Sequence, residues 1–336
     1  MRLRRSVCDG PGFSRVRRGR GFAYLDEHGE RLTARDHLDR LRALVIPPAW
    51  QRVWICPFPN GHIQAVGFDE AGRKQYIYHE QWRRDRDGEK HDRVLELARR
   101  LPGIRDRIQT DLTATGLGRD RVVAGALRIL DRGVFRTGGE EYAEEHDSRG
   151  VATLLCEHVR LRSGELRFRF PAKSGIERVA AIRDPELAAL VTALRRGRAD
   201  DDRLFVYRVG KRLHELKADE VRERFKGFAG ERFTVKDMRT WTATVLAAVE
   251  FAARERPGST TATKRAEAEV MRAVAEQLGN TPAVARRSYV DPRVPELFRD
   301  GHTIEATLRR IGDHDRDQLD IRGTLERAVV RLLRSV

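Results

Sequence analysis

The sequence predicts an α+β protein in which a small β-rich N-terminal domain precedes a larger, mainly helical domain. Short strand-like runs separated by Gly, Pro and Asn turns fill the first quarter of the chain. Beyond an almost continuously charged stretch at 79–92, the apolar residues take up helical spacing. A length of 336 residues also accommodates two domains of ordinary size. We therefore divide the chain into residues 1–88 and 89–336.

The N-terminal part contains three groups of strand signals. The segment 21–33 has the pattern of a hairpin that turns at 27–29. The segments 53–58 and 62–79 have the pattern of strands, joined by turns at Pro59-Asn60-Gly61 and at 69–72. These runs predict a small sheet.

The C-terminal part is predicted to be helical with one β interruption. Helical periodicity begins at 93–101 and 121–130 and returns at 185–196, 217–228, 235–255, 260–278 and 320–334. Between these helices, the segment 165–182 contains two strand-like runs around a Pro-Ala-Lys-Ser-Gly turn. This pattern places Lys173 at the tip of a hairpin.

The composition is strongly basic, with 66 Lys and Arg residues against 51 Asp and Glu residues and a net charge of +15. Such an excess favours a polyanionic partner, most commonly nucleic acid, because each cation set against a phosphate releases condensed counterions. Only eight of the 66 basic residues are Lys. Because a GC-rich genome also produces such an Arg bias, a merely Arg-rich surface remains an alternative.

Cysteine usage and hydropathy predict a cytoplasmic, soluble protein that does not enter a membrane. Cys8, Cys56 and Cys156 are widely spaced, and no Cys-x-x-Cys pair occurs. The first twenty residues lack the apolar core of a signal peptide, and no stretch approaches the ~18 apolar residues of a membrane span. The basic start is expected to be either a flexible arm on DNA or a disordered, solvated tail.

Sequence motifs for common cofactors are incomplete. The nearest approach to a Walker A motif, at 210–212, lacks the earlier glycine and the hydroxyl residue. The acidic run at 313–317 begins like a calcium loop, but Gln318 replaces the required glycine and Thr324 the required glutamate. We therefore expect neither a nucleotide nor a metal cofactor.

One tyrosine and two arginines are candidates for phosphoryl-transfer chemistry. Tyr289 follows Arg286-Arg287-Ser288, and a phenol attacks phosphorus at neutral pH only if cations or a base favour its phenolate. Arg136 and Arg239 lie beside predicted turns or helix starts, where a guanidinium can bind two phosphate oxygens at once. By residue type alone each of these side chains is more often structural, so this chemistry identifies a candidate only.

Five segments in family order resemble the signature blocks of the bacterial and poxvirus-like branch of type IB DNA topoisomerases. They are distributed over residues 46–294, which makes the resemblance far more specific than a single short motif. The segments are IPPAWQRVWICPFPNGHIQAVGFDEAGRKQYIYHEQWR, VFRTGGEEYA, FRFPAKSGIER, KDMRTWTAT and LGNTPAVARRSYVDPRV.

The resemblance implies a set of catalytic residues. Tyr289 matches the nucleophile that takes the 3′ phosphate, and Arg136 and Arg239 match the arginines on the scissile phosphate. Lys173 matches the general acid. Asn280 lies where family members carry His or Asn, and an Asn donates a hydrogen bond but cannot carry a proton.

The resemblance also implies DNA contacts outside this set. Lys236 resembles a further cation beside the phosphate, and Lys74 is expected to contact DNA. Gln75, Tyr76 and Tyr78 resemble major-groove contacts of the small N-terminal domain. From the residues alone, the tyrosines are equally well explained as an exposed strand face.

The implied enzyme is a monomer that closes on duplex DNA as a C-shaped clamp. It would relax supercoils by transient single-strand cleavage through a 3′-phosphotyrosyl intermediate and religation, without ATP or metal. Two alternatives remain. A tyrosine recombinase shares the chemistry but usually carries His-x-x-Arg where this chain has Lys236 and Arg239. A non-catalytic DNA-binding protein would use the same basic surface and form no covalent adduct.

Overall fold

The computed structural model describes residues 2–132, 135–140, 148–172, 177–255, 258–312 and 319–335. Lys173 and the acidic run at 313–317 lie outside the described residues. The chain forms two compact units, Met1–Lys90 and His91–Val336. The first contains a β-sheet and the second is mostly helical, as the α+β prediction requires. In the part of the chain described, no helix is both long and apolar enough to cross a membrane.

The first unit is a five-stranded antiparallel sheet with one helix, and the strand order is β2-β1-β3-β4-β5. Ala65 pairs with Ile55 and Ile77, and this face of the sheet packs with Leu41 into the core. The elements are β1 (Phe13–Arg18), β2 (Gly21–Leu25), α1 (Arg35–Ala43), β3 (Gln51–Ile55), β4 (Ile63–Phe68) and β5 (Lys74–Tyr78).

Strands β3, β4 and β5 and their connecting turns are confirmed, but the expectation for the basic start is wrong. Residues 13–18 form β1, which pairs along its length with β2 through a tight turn at Gly19, where φ is +55°. Arg4 bridges Gly61, and the Ser6 hydroxyl donates to the carbonyl of Ile63 at 2.8 Å. These backbone bonds hold the segment on the sheet despite its charge.

The turn predicted around 27–29 forms, but the hairpin it closes is short. Leu25 bridges Arg31, and the N–H of Leu32 donates to the carbonyl of Tyr24 at 2.9 Å, whereas the main partner of β2 is the preceding strand β1. The alternation of apolar residues identified β2 correctly but did not specify which neighbour it pairs with.

The second unit contains most of the helices, a three-stranded sheet β6-β7-β8 and a separate hairpin. Its helices are α2 (Glu80–Leu112, which begins in the first unit), α3 (Arg119–Asp131), α4 (Pro185–Arg195), α5 (Ala218–Ala229), α6 (Val235–Ala252), α7 (Thr260–Leu278), α8 (Pro282–Ser288), α9 (Arg293–Arg299), α10 (Glu305–Ile311) and α11 (Leu319–Leu333). Its strands are β6 (Val159–Arg162), β7 (Glu165–Pro171), β8 (Glu177–Arg183), β9 (Val206–Val209) and β10 (Arg212–Glu215).

The charged stretch at 79–92 is helical, which corrects the expectation that helix begins beyond it. Helix α2 starts at Glu80, and its first turns are linked by side-chain pairs one turn apart. Arg84 binds Glu80, and Gln81 donates to Asp85 at 2.8 Å. Apolar periodicity did not reveal these turns because the first fully buried side chain of the helix is His91.

Helix α6 is the centre of the larger core. It is buried on nearly every side and contacts α3, α7, α9, α10 and α11. Trp241 and Phe251 are among its fully buried side chains, and the Phe251 ring lies 4.5 Å from that of Phe298 in α9. Residues near the start of α6 are therefore held rigidly.

A buried group of two arginines and two carboxylates joins α11 to α2 and α3. Arg105 donates to Asp131 at 2.9 Å and to Glu326 at 2.6 Å, and Arg322 contacts both carboxylates at 3.2–3.3 Å. Burial alone would raise the pKa of Asp131, but Arg105 and Arg322 hold it far below its usual value. Asp131 ends α3, four residues before Phe135.

We expect Asp131→Asn to lower the free energy of unfolding by about 3 kcal/mol at neutral pH, because it leaves two buried guanidinium groups without their shared carboxylate. The depressed pKa means that this stabilisation is present above the unfolded pKa of about 3.9 and is lost as pH falls through the folded value. Thermal and denaturant unfolding would measure both effects.

Asp39→Asn is the matched control. Asp39 lies in α1 with an exposed side chain and exposed arginine partners. Its replacement should change stability little. An equally small effect at Asp131 would contradict the role assigned to the buried group.

Candidate active site

Arg239 lies in the second turn of α6 and is only 6% exposed. The turn is fixed at its start, where the Asp237 carboxylate accepts from the backbone N–H of Thr234 at 2.9 Å. Asp237 also pairs with Arg93 at 3.0 Å. The Arg239 guanidinium donates to the carbonyls of Phe135, at 3.2 Å, and Leu278. One buried side chain thereby links the backbones beside Arg136 and Asn280.

The segment that carries Arg136 is held by aromatic packing and by close backbone approach. The Phe135 ring lies 4.9 Å from Phe168 and 5.3 Å from Phe170, both on β7. Gly138 has φ +83°, and a side chain on Gly150 would approach the Gly138 backbone to 2.3 Å. Both positions therefore require glycine.

Helix α7 ends before Gly279, which is left-handed, and Asn280 follows it. The sequence predicted a helix break at these two residues. The backbone N–H of Asn280 bonds to the carbonyl of Ala275 at 2.9 Å, the pattern of a Schellman cap. Its side-chain Oδ1 accepts a hydrogen bond of 2.7 Å from Arg136. Because arginine has no acceptor, this bond fixes the amide orientation. The buried Nδ2 donor is left without an acceptor among the described residues.

Tyr289 immediately follows α8 and is 6% exposed. Its backbone carbonyl accepts from the Thr244 hydroxyl of α6 at 3.3 Å, and its N–H bonds to Ala285 at 3.1 Å. The Arg239 guanidinium carbon lies 5.5 Å from the centre of the Tyr289 ring. Helix α6 therefore positions both Arg239 and the tyrosine.

The charges of the site favour the phenolate form of Tyr289. Burial alone would raise the pKa of the phenol, but Arg136, then Arg239 and Lys236, lower it below the ordinary tyrosine value. The same crowding acts on Arg239, because burial, followed by the charge of Arg136, lowers its pKa to about 10. Arg239 is still protonated at neutral pH.

Arg136, Arg239 and Tyr289 line an open cavity of about 1060 Å³. Lys236 is exposed at its wall. The described lining includes three more cations, Arg149, Lys217 and Arg222, together with the carboxylates of Glu140 and Asp219. The cavity is therefore positively charged, and a buried phenol borders it. This arrangement suits attack on a phosphodiester.

Two family models match the sequence. The model described as "Eukaryotic DNA topoisomerase I, catalytic core" matches residues 79–310. The model described as "Bacterial DNA topoisomerase IB, N-terminal domain" matches residues 21–69. The first covers more than half of the chain. The chain belongs to the type IB DNA topoisomerase family.

Viral type IB topoisomerases are similar to this chain over most of its length. The DNA topoisomerase 1B of Acanthamoeba polyphaga mimivirus is 29% identical over 297 residues, covering 86% of this chain and 88% of the relative. The DNA topoisomerase 1B of vaccinia virus (strain Western Reserve) is 22% identical over 251 residues, covering 74% and 76%. The DNA topoisomerase I of monkeypox virus has the same identity and coverage.

The structure of this type IB topoisomerase brings together four of the five predicted catalytic residues. Arg136, Arg239, Asn280 and Tyr289 are joined by the contacts described above, and Lys236 lies near them. Lys173, the fifth, lies outside the described residues. Their catalytic roles remain predictions.

The predicted DNA contacts of the first unit do not all share one face of the sheet. Lys74, Tyr76 and Tyr78 alternate outward on β5, and the two tyrosine rings stack at 5.9 Å. Gln75 lies on the opposite face, with Ile77 of the core, and donates to Asp69 at 3.0 Å. The alternation of side chains along a strand separates Gln75 from the tyrosines.

Sequence reasoning missed Arg178, which lies on β8 and contacts the end of α7. Its guanidinium donates to the carbonyls of Glu276, at 2.9 Å, and Gln277. The carbonyl of Glu276 also accepts from the N–H of Gly279 at 3.1 Å, so Arg178 adds a side-chain cap to the end of α7 beside Asn280. Arg178 is the last residue of the block FRFPAKSGIER, but from that block only Lys173 was predicted to act at the site.

We expect Arg136→Ala to raise the pKa of Tyr289, because Arg136 is the leading charge that opposes the effect of burial. Absorbance titration of the phenolate, with Tyr289→Phe in each background as reference, would measure the shift. Arg136→Lys keeps the charge and should largely restore the lower pKa. An unchanged Tyr289 pKa in Arg136→Ala would exclude this control of the nucleophile.

Proposed function

We propose that this enzyme relaxes supercoiled duplex DNA by cutting one strand through a 3′-phosphotyrosyl intermediate and resealing it. The observation that carries the proposal is a buried tyrosine whose pKa is lowered by three neighbouring cations at a basic cavity. A phenolate is the form of tyrosine that attacks phosphorus, and the same cations stabilise the charge that develops in the transition state.

In the proposed cleavage step, the Tyr289 phenolate oxygen forms a bond to the scissile phosphorus. The bond from phosphorus to the 5′ oxygen breaks, and that oxygen leaves with a proton. The phosphodiester is exchanged rather than hydrolysed, so its energy is retained and the 5′ hydroxyl can reverse the reaction. Between the two steps the free end swivels, which releases supercoiling without ATP.

Arg136 and Arg239 are assigned different parts in this step. Arg136 is half-buried at the cavity and binds Asn280, so it is suited to direct contact with the phosphate. Arg239 already donates to two backbone carbonyls, so it supplies charge and holds the other groups in place. Together with Lys236 they supply the positive charge that other phosphoryl-transfer enzymes obtain from magnesium.

Asn280 is proposed to donate a hydrogen bond to a non-bridging phosphate oxygen. Its Oδ1 is occupied by Arg136, while its buried Nδ2 has no acceptor among the described residues. An unsatisfied buried donor is costly in the free protein, so an incoming phosphate oxygen would relieve that cost. This role needs a donor only, which explains how an amide serves in place of histidine.

Lys173 is proposed, from the family resemblance, as the acid that protonates the departing 5′ oxygen. The described strands around it are consistent with a short hairpin, since Pro171 of β7 pairs with Glu177 of β8. The carbonyl of Pro171 accepts from the N–H of Arg149 at 2.8 Å, and Arg149 lines the cavity. The base of the hairpin is therefore attached to the cavity wall.

We further propose that the two units close on DNA as a C-shaped clamp and that the enzyme acts as a monomer on nucleoid DNA in the cytoplasm. The family membership and the net charge of +15 support duplex DNA as the substrate. A tyrosine recombinase would join two duplexes, and a non-catalytic clamp would form no adduct. Product analysis on plasmid DNA separates these alternatives.

We expect the wild-type enzyme to relax supercoiled plasmid in EDTA and without nucleotide, and Tyr289→Phe to bind duplex DNA normally while losing relaxation and covalent adduct. The substitution removes only the attacking oxygen. Topoisomer gels and denaturing gels for protein-linked DNA measure the two activities. A near wild-type adduct in Tyr289→Phe, or a strict requirement for a divalent metal, would refute the mechanism.

Lys173→Ala should slow cleavage of ordinary DNA by about 10²–10⁴, the usual contribution of a general acid. Replacing the bridging 5′ oxygen with sulfur should restore most of this rate, because a thiolate leaves without a proton. Asn280→Ala is the control, since loss of a phosphate donor should slow cleavage of both substrates by about 10²–10³. Equal defects of Lys173→Ala on both substrates would make Lys173 a phosphate anchor instead.

A further inference from the structure

Arg52 has an unusual backbone conformation in the first unit. Its φ is +48°, in the left-handed region that side chains other than glycine rarely adopt. The β3–β4 register shifts at this point, because Gln51 pairs with Phe68 while Trp54 pairs with Val66. Two residues of β3 therefore oppose one residue of β4, which defines a β-bulge. Strained backbone conformations of this kind cluster at functional sites.

The bulge places the Arg52 side chain over Phe68, with the guanidinium carbon 4.0 Å from the ring centre. Phe68 pairs with Lys74 across β4 and β5. Both lie on the face opposite the core, because Ala65 and Ile77 point the other way. On the same face follow Tyr76 and Tyr78, which are 41% and 38% exposed. We call Arg52, Phe68, Lys74, Tyr76 and Tyr78 the cationic row.

The cations of the row differ from three other arginines of the same unit, which are engaged by the protein itself. Arg15 donates to three backbone carbonyls, Arg40 donates to Gln64 and Cys56, and Arg73 pairs with Asp69 at 2.9 Å. Arg52 is exposed, and within residues 2–90 no hydrogen bond or ion pair engages its guanidinium. Lys74 likewise has no hydrogen bond or ion pair within these residues, and its ammonium lies 5.8 Å from the centre of the Tyr76 ring. Their hydrogen-bond donors are available to an external anion.

We propose that Arg52 is a backbone-phosphate ligand of duplex DNA and that the strained bulge serves to place it beside Lys74. The inference deepens the proposed function, because it assigns a further DNA contact to the first unit. A guanidinium stacked flat on an aromatic ring keeps its N–H edge accessible, and that edge matches two phosphate oxygens. Both charged residues of the row, Arg52 and Lys74, are positive, which suits the phosphates that flank a groove.

The test measures duplex binding as a function of salt for Arg52→Gly and Arg52→Lys, in the Tyr289→Phe background so that cleavage does not trap DNA. A short duplex oligonucleotide is the probe. Arg52→Gly removes one phosphate contact, so the slope of log affinity against log salt should become shallower by about 0.9, with several-fold weaker binding. Arg52→Lys keeps a cation and should retain the slope of the parent.

Val45→Gly is the matched control for the backbone effect. Val45 also has a positive φ, +47°, is 80% exposed and carries no charge. Glycine relieves the conformation at either position, so neither glycine variant should melt below its parent. Only Arg52→Gly should change the salt slope. A slope that matches Val45→Gly, or an Arg52→Lys slope as shallow as that of Arg52→Gly, would overturn the assignment.

Two separate measurements distinguish this inference from the proposed function. Covalent adduct formation by the wild type tests the proposed function, and the salt slope of duplex binding tests Arg52. If the wild type forms no adduct, the proposed function fails, whereas the slope still tests Arg52. If the adduct forms and the slope is unchanged, only the assignment of Arg52 fails.

Discussion

The buried guanidinium of Arg239 determines the geometry of the active site. It binds the backbone carbonyls of Phe135 and Leu278, which lie next to Arg136 and close to Asn280. Those two side chains then meet at 2.7 Å. Burying a cation is costly unless its donors are satisfied, so the two segments are held where their carbonyls satisfy it. Because the hydroxyl of Thr244 on the same helix donates to the carbonyl of Tyr289, the proposed nucleophile is positioned by the same helix as Arg239.

The end of α7 contributes a second constraint. The last carbonyls of a helix have no partners within it and carry partial negative charge. Arg178 binds those of Glu276 and Gln277, and Arg239 binds that of Leu278. The neutral carbonyls of the helix terminus thus bind two guanidinium groups beside Asn280. A carboxylate would be a less suitable partner for these groups. An acidic partner would neutralise the charge that the proposed phosphate contact requires.

In both units the residues proposed to act on DNA include groups whose local environment is unfavourable in the free protein. The pKa of Arg239, lowered to about 10 by burial and by Arg136, shows that the free site disfavours its own charge. The Nδ2 of Asn280 is buried without a described acceptor, and Arg52 adopts a strained conformation. An anion bound at the active site would offset the costs at Arg239 and Asn280, whereas the strained backbone of Arg52 places a cation where an anion can bind.

The sequence by itself determined the local elements and the family. Periodicity located most of the strands and long helices, and the five ordered blocks predicted Arg136, Arg239, Asn280 and Tyr289 as catalytic residues, which the structure places together. It failed where packing decides between local alternatives. The basic start became β1 because backbone bonds to its neighbours outweighed its charge, and Gln75 lies on the core face because strand side chains alternate.

Only the tertiary structure decided which of the 58 arginines act together. Arg178 and Arg239 are 61 positions apart in the sequence and bind carbonyls at the same end of α7. Arg52 lies over the ring of Phe68, which pairs with Lys74 on the neighbouring strand. Sequence patterns record the period of burial along one element. Convergence of side chains from different elements depends instead on how those elements pack, and no single segment encodes that packing.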